Sequence, residues 1–319
     1  QKVSKDTRVL YAKGCAVRDS SRTGFADAIE AARSADVVVM VVGGSSARDF
    51  SSEYEETGAA KVSANRVSDM ESGEGYDRAT LHLMGRQLEL LEEVRKLGKP
   101  MVLVLIKGRP LLMEGVIQEA DAILDAWYPG MQGGNAVADV LFGDYNPAGR
   151  LTLSVPRSVG QLPVYYNTKR KGNRSRYIEE AGTPRYPFGY GLSYTTFSYT
   201  GMKVRVSEES NHCRVDVSVT VRNQGTVDGD EVVQLYLRDE VGSFTTPDRQ
   251  LRAFSRVRLK AGETREITFT LDKKSLALYM RDGEWAVEPG RFTVMAGGSS
   301  EDIACQQEFE INRKYTFKM

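Results

Sequence analysis

The residues of this 319-residue chain with the clearest capacity for chemistry lie between Gly43 and Thr80, a stretch with no sustained apolar period. Seven carboxylates fall within twenty-five positions there: Glu53, Glu55, Glu56, Asp69, Glu71, Glu74 and Asp77. A solvated acidic loop accounts for that composition, and so does a carboxyl group presented to a ligand; structureless loops of this length in compact domains are usually functional or disordered. The string Glu71-Ser72-Gly73-Glu74-Gly75-Tyr76-Asp77-Arg78 favours the ligand. Glycine on both sides of Glu74 permits positive φ and close approach of the backbone, presenting one carboxylate at a tight turn. Arg78 is placed to neutralise Asp77 next door, which leaves Glu74 the least obviously paired of the set. An unpaired carboxyl in a cleft has its pKa raised, as general acid catalysis near neutral pH requires.

Other chemistries find less support. Gly43-Gly44 follows an apolar run, but neither a G-x-G-x-x-G spacing nor a P-loop lysine accompanies it, which argues against a nucleotide site. With only His82 and His212, a histidine-rich metal site or a Ser/His/Asp triad is hard to assemble. His82 reads as a satisfied, half-buried histidine. Cys15, Cys213 and Cys305 are too far apart to give a thiolate pair of metal-ligand spacing, so reduced, buried thiols are expected, with no metal and no cofactor. Five basic residues fall in the eight from Lys169 to Arg176, a pattern that fits a solvated loop face better than an anion site.

These residues need elements to position them. From Thr7 to about Leu153, short β-branched runs alternate with helical patterns. Strands are predicted at Arg8 to Ala12, Asp36 to Val42, Met101 to Ile106 and Ala122 to Trp127, near-continuously apolar as in a sheet covered by helices on both faces. Helices are predicted over Gly24 to Ser34, with Phe25, Ala28, Ile29 and Ala32 on one stripe, and over Gly85 to Leu97, with Leu88, Leu91 and Leu97 as the apolar face. A third spans about Asn135 to Leu141, with Gly143 just past its end. Strand, helix and parallel strand in alternation define an α/β domain. In an open parallel sheet, ligands gather at the carboxyl ends of the strands, here the loops after Val42, Ile106 and Trp127.

After Leu153 the pattern changes. Residues 154–193, with Pro156, Pro163, Pro184 and Pro187 and no sustained period, read as a long ordered connecting loop. From Tyr194 onward alternating runs recur about every ten residues: Cys213 to Val221, Glu231 to Leu237, Leu251 to Leu259, Thr264 to Leu271, Arg291 to Ala296 and Ile303 to Ile311. Turn residues such as Asp228-Gly229-Asp230 and Ala261-Gly262-Glu263 separate them, the signature of an antiparallel β-sandwich of immunoglobulin type. The division is therefore residues 1–153, 154–193 and 194–319.

Lys plus Arg and Asp plus Glu are 43 each, a formal net charge of zero, so no global field draws the chain toward nucleic acid or anionic lipid. The longest apolar runs, Val37 to Val42 and Met101 to Ile106, fall far short of the ~20 residues needed to cross a bilayer. No secretory signal is visible in Gln1 to Arg8.

Four strings, in order, carry a family resemblance. They are Ser72-Gly73-Glu74-Gly75-Tyr76-Asp77-Arg78; Trp127-Tyr128-Pro129-Gly130 continuing to Asp144-Tyr145-Asn146-Pro147-Ala148-Gly149-Arg150-Leu151; Tyr186-Pro187-Phe188-Gly189-Tyr190-Gly191-Leu192-Ser193-Tyr194; and Asn223 to Tyr236. Together they cover almost the whole chain, and it resembles the C-terminal portion of glycoside hydrolase family 3, the β-glucosidase and β-xylosidase family. The resemblance implies an α/β sandwich, a mostly parallel sheet with helices on both faces, followed by an all-β fibronectin type III-like sandwich.

It further implies a retaining β-glycosidase acting on terminal β-D-glucosides or related β-linked glycosides, with no cofactor. Retaining enzymes need two carboxyl groups ~5.5 Å apart. In the family the nucleophile is an aspartate on an N-terminal (β/α)8 barrel, which also supplies most sugar-binding groups and needs ~250 residues. Only about thirty residues precede the Asp36 strand, so the resemblance implies a barrel elsewhere in the same gene product and a chain inactive by itself. Glu74 takes the acid/base role, with Glu71 the second choice. Asp77 and Arg78 are expected to structure the loop as an ion pair, and Ser45 and Ser46 are candidates for a sugar hydroxyl. Trp127 and Tyr128 are either a sugar platform or, the favoured reading, packing residues between the sheet and the connecting loop. Ser68-Asp69-Met70 resembles the family's nucleophile string, but a polar loop precedes it where the family has an apolar barrel strand. Periplasmic or secreted placement is also implied. A noncatalytic carbohydrate- or protein-binding module is the alternative.

Overall fold

In the computed structural model, which describes residues 2–47, 55–58, 69–73, 75–169 and 177–318, three of the apolar runs pair as a parallel sheet. These are β1 (Val38–Gly43), β2 (Met101–Ile106) and β3 (Ala122–Asp125), in the order β1-β2-β3. Val38 stands opposite Met101 and Gly43 opposite Ile106, while Val102 stands opposite Ala122 and Leu105 opposite Asp125. Helix α1 (Phe25–Arg33) precedes β1, α2 (Gln87–Arg95) connects β1 to β2, and α3 (Gly133–Leu141) follows β3. They belong to a compact unit of Gln1–Asp144 with Pro156–Leu162; a second unit comprises Tyr145–Val155 with Pro163–Met319.

Central β2 is the core of the first unit, with Met101, Leu103, Val104 and Leu105 at 1% exposure or less. Edge strand β1 departs from the expected continuous burial: Val38 and Val42 are buried, whereas Val39 and Val41 stand 47% and 64% exposed. A strand's side chains alternate between faces, and only one face of this edge is covered by the described residues. Arg8 to Ala12 forms no strand, because its backbone pairs with no neighbour among the described residues, and Tyr11 is exposed. The fourth predicted strand, Ala122 to Trp127, ends at Asp125 because Trp127 turns into the left-handed region at φ +50°.

Helix α2 buries a different face from the one predicted. Gln87, Leu90, Leu91 and Val94 point inward, while Leu88 and Leu97 are half-buried. The cause is Gln87, whose Nε2 donates to the carbonyls of Gly43 (2.9 Å), Val17 (3.1 Å) and Met84 (3.1 Å), while its Oε1 accepts from Gly43 N (2.8 Å). A polar side chain can be buried when its hydrogen bonds are met.

The second unit contains β4 (Phe197–Glu208), β5 (Cys213–Asn223), β6 (Gly229–Asp239), β7 (Gln250–Leu259), β8 (Thr264–Asp272), a single turn of helix α4 (Lys273–Leu276), β9 (Leu278–Tyr279), β10 (Trp285–Val287), β11 (Gly290–Gly297), β12 (Ile303–Ile311) and β13 (Tyr315–Phe317). Antiparallel sheets β12-β11-β6-β7 and β4-β5-β8 make the sandwich, with a small sheet β13-β10-β9. Alternate residues of β5, from Cys213 through Val215, Val217 and Val219 to Val221, are fully buried with Val233, Leu235, Phe292 and Val294.

All six predicted runs lie in strands. The sequence reading missed β4 because a bulge between Thr200 and Lys203 moves its apolar residues from phase Phe197, Tyr199 to phase Met202, Val204, Val206. Within this unit Arg150 Nη2 lies 3.0 Å from Glu231 Oε2, and Tyr199 donates to Glu231 Oε1 at 2.7 Å. Burial and the Glu231 charge push the Tyr199 phenol far up. All three cysteines are free, but only Cys213 is buried; Cys15 and Cys305 are half-buried. Burial pushes the Cys213 thiol up to about 11.

Candidate active site

At the carboxyl ends of β1, β2 and β3 the chain gathers a polar cluster around residues 71–78. The segment is stitched to the end of β1 by the Ser45 carbonyl, which accepts from Glu71 N (2.8 Å) and Ser72 N (3.4 Å). Ser45 Oγ accepts from Ala47 N at 3.1 Å, and Ser46 is exposed.

Glu71 is buried, its side chain 1% exposed, with Oε2 2.8 Å from Arg78 Nη1 and 3.7 Å from Arg109 Nε. Its Oε1 has no hydrogen-bond partner among the described residues. Two guanidinium groups compensate the cost of burying this carboxylate. Glu71 is thereby engaged as a counter-ion. Arg78 also donates to the His82 carbonyl. The expected Asp77–Arg78 pair is thus replaced by Arg78–Glu71, and Asp77 is exposed.

The turn itself has the backbone that its glycines allow: φ is +125° at Gly73 and +79° at Gly75. Tyr76 N donates to Gly73 O at 3.2 Å. Glu74 lies outside the described residues, as do Glu53, Ser68 and the basic positions 170–176. Glu55, Glu56 and Asp69 are exposed.

Beside this turn stand residues that the sequence reading did not single out. Arg109 Nη2 donates to the carbonyls of Glu71 (3.0 Å) and Tyr76 (2.8 Å). Lys107 is fully buried, its Nζ 2.9 Å from Asp125 Oδ2 and 3.7 Å from the centre of the Trp127 ring. The contact with Asp125 is an ion pair whose approach lies off the hydrogen-bond direction. Burial pulls the Lys107 ammonium below its ordinary pKa, and the Asp125 charge offsets part of that shift. The signal available was position: Lys107 and Arg109 open the loop after Ile106, one of the three strand ends where ligands gather.

Trp127 packs on Lys107, and Tyr128 OH shares a 2.6 Å hydrogen bond with Ser72 Oγ. His82 is exposed rather than half-buried, with Nδ1 2.9 Å from Glu114 Oε1. Among the described residues no three His, Cys, Asp or Glu side chains are gathered to hold a metal ion.

Comparison with known proteins places these observations. Residues 2–194 match the glycosyl hydrolase family 3 C-terminal domain and residues 231–300 a fibronectin type III-like domain. The chain is 41% identical over 304 residues to a beta-xylosidase of Formosa agariphila, covering 94% of this chain and 39% of that protein. To the periplasmic beta-glucosidase of Salmonella typhimurium it is 38% identical over 339 residues, covering 97% of this chain and 41% of that protein. Among solved structures, a β-glucosidase from Listeria innocua in complex with glucose superposes with a TM-score of 0.77 at 34% identity, covering 94% of this chain and 39% of the other. A β-glucosidase from Erythrobacter marinus gives 0.81 at 38% identity, covering 96% and 41%. The chain thus spans about two fifths of the length of these relatives.

Proposed function

This chain belongs to glycosyl hydrolase family 3, matching its C-terminal domain, and on that premise we propose that it supplies the general acid/base of a retaining β-glycosidase, with Glu74 as the proton-transferring carboxyl. In such a reaction one carboxylate attacks the anomeric carbon while the second group protonates the departing oxygen. The second group then takes a proton from the water that releases the sugar. The nucleophile is an aspartate on an N-terminal barrel of the same gene product, and the substrate is a terminal β-D-glucoside or a related β-linked glycoside. The names of the β-xylosidase and β-glucosidase relatives support that substrate class.

One observation carries the choice of carboxyl. Glu71, the other candidate in the segment, is buried and engaged by Arg78 and Arg109, which leaves Glu74 between two glycines of positive φ. Ser45 and Ser46 offer hydroxyls to a sugar at the end of β1; Ser45 Oγ accepts from Ala47 N and keeps its own proton to donate.

The test is Glu74→Gln in the full-length gene product. Turnover of a glycoside with a poor leaving group, such as an alkyl β-glucoside, is expected to fall by about 10²–10⁴-fold, and that of a dinitrophenyl glycoside far less in the step that releases the aglycone. Equal losses on both reassign the residue. Hydrolysis of aryl β-glucosides by the purified 319-residue chain would remove the need for a barrel. Glycan binding by a gene product that encodes no barrel would instead identify a noncatalytic module.

A further inference from the structure

We propose that Arg109 is the positioning residue of the acid/base turn, a role that rests on the reading of Glu74 given above. The geometry is that of a clamp. A single nitrogen, Arg109 Nη2, donates to the carbonyl of Glu71 at 3.0 Å and to that of Tyr76 at 2.8 Å. These carbonyls flank sequence positions 72–75, so one rigid group fixes the backbone on both sides of position 74. The planar guanidinium is suited to this, because its donors diverge in a fixed fork. Its Nε faces Glu71 Oε2 at 3.7 Å, which holds the fork in orientation against a buried charge.

A further contact fixes the same turn from a strand end. Ser72 Oγ and Tyr128 OH are 2.6 Å apart, and Gly108 leaves the room they occupy: a methyl group at position 108 would stand 2.5 Å from the Tyr128 ring and 2.8 Å from Ser72 Oγ. Tyr128 in turn follows Trp127, whose left-handed backbone is held by the hydrogen bond from Lys107 N to Trp127 O (3.2 Å) and by the Lys107 ammonium over its ring. Of the three consecutive residues after β2, Lys107 holds Trp127, Gly108 leaves room for the Ser72–Tyr128 contact, and Arg109 bonds the turn itself. Of these only Arg109 bonds both of its ends.

A proton donor must sit within hydrogen-bond reach of the leaving oxygen, and a misplacement of 1 Å costs about 10²-fold in rate. In the full-length gene product, Arg109→Met is expected to lower kcat for a poor leaving group by about that factor while leaving KM and the rate on a dinitrophenyl glycoside near wild type. Arg109→Ala with millimolar guanidinium added should recover part of the loss, a rescue that general destabilisation would not show. Amide hydrogen exchange gives a readout independent of activity: residues 72–77 should exchange faster in Arg109→Met, with β2 and α2 unchanged.

Glu74→Gln, measured alongside, separates two failures. If Glu74→Gln shows the leaving-group split and Arg109→Met does not, the clamp is overturned and the acid/base reading stands. If Glu74→Gln shows no split, that reading fails, and with it the catalytic purpose of the clamp. Equal losses by Arg109→Met on both leaving groups, or unchanged exchange over 72–77, also overturn the proposal.

Discussion

The Glu71 carboxylate lies directly against Gly44, so closely that a methyl group at position 44 would stand 1.9 Å from Glu71 Oε1. The missing side chain at 44 is the room in which a buried carboxylate reaches Arg78 and Arg109. The paired glycines at the end of β1, which invite a phosphate-binding reading, here give way to a carboxylate and to the neighbouring strand: a Cβ at Gly43 would collide with the Ile106 carbonyl.

Gly44→Ala is therefore expected to push Glu71 out of its ion pairs and to destabilise the first unit by about 3 kcal/mol, the scale for breaking a buried pair. Chemical denaturation followed by circular dichroism checks this. A loss below about 0.5 kcal/mol would mean that the carboxylate moves aside freely.

Gln87→Leu keeps the volume of the buried face of α2 but removes the partner of the Gly43 N–H and one partner of its carbonyl. Leaving such buried groups unpaired costs about 1–3 kcal/mol. The melting temperature of the variant should fall accordingly, whereas a rise would show that the apolar face gains more than the hydrogen bonds lose.

Lys107 gives a pH dependence whose sign follows from its lowered pKa. Between its folded value and the ordinary value of 10.5, the unfolded chain binds more protons than the folded one, so stability rises with pH in that window. The burial penalty is present in full below the folded value and is relieved as the pH climbs from there toward 10.5. The difference in stability between wild type and Lys107→Met, measured by urea denaturation from pH 7 to 10, should shift in favour of wild type as the pH rises. The difference cancels the buried tyrosines, whose raised values act in the opposite direction. A flat difference would mean that Asp125 fully compensates the ammonium.

In the second unit, Arg150→Met strands Glu231, whose side chain is 4% exposed, with Tyr199 as its remaining partner. A loss of about 3 kcal/mol is expected, and Arg150→Met combined with Glu231→Gln should cost less than the two changes summed. Thermal denaturation of the two single variants and the double variant measures the coupling.

Much of the fold is legible in the amino-acid order because local pattern dictates it. The unbroken apolar runs at Met101 to Ile106 and the alternation from Cys213 to Val221 are one-dimensional consequences of burial on two faces or on one. Where the period breaks, the reading breaks with it: β4 is hidden by its bulge at residues 200–203, and the inward face of α2 by a buried glutamine that a count of apolar residues treats as solvent-facing. The glycines around position 74 likewise announce a turn of positive φ, since no other residue adopts that backbone so cheaply.

The partners of charges were decided by the tertiary structure alone. Arg78 has Asp77 beside it in the chain, yet it pairs with Glu71, and Arg109 comes from a strand end thirty-eight residues away to bond the same segment. Lys107 looks like any surface lysine in the sequence and is the most deeply buried cation of the first unit's described residues. Charge pairing depends on distance and desolvation, both properties of three-dimensional packing, so composition can supply the acid and the bases but only the fold selects which of them meet.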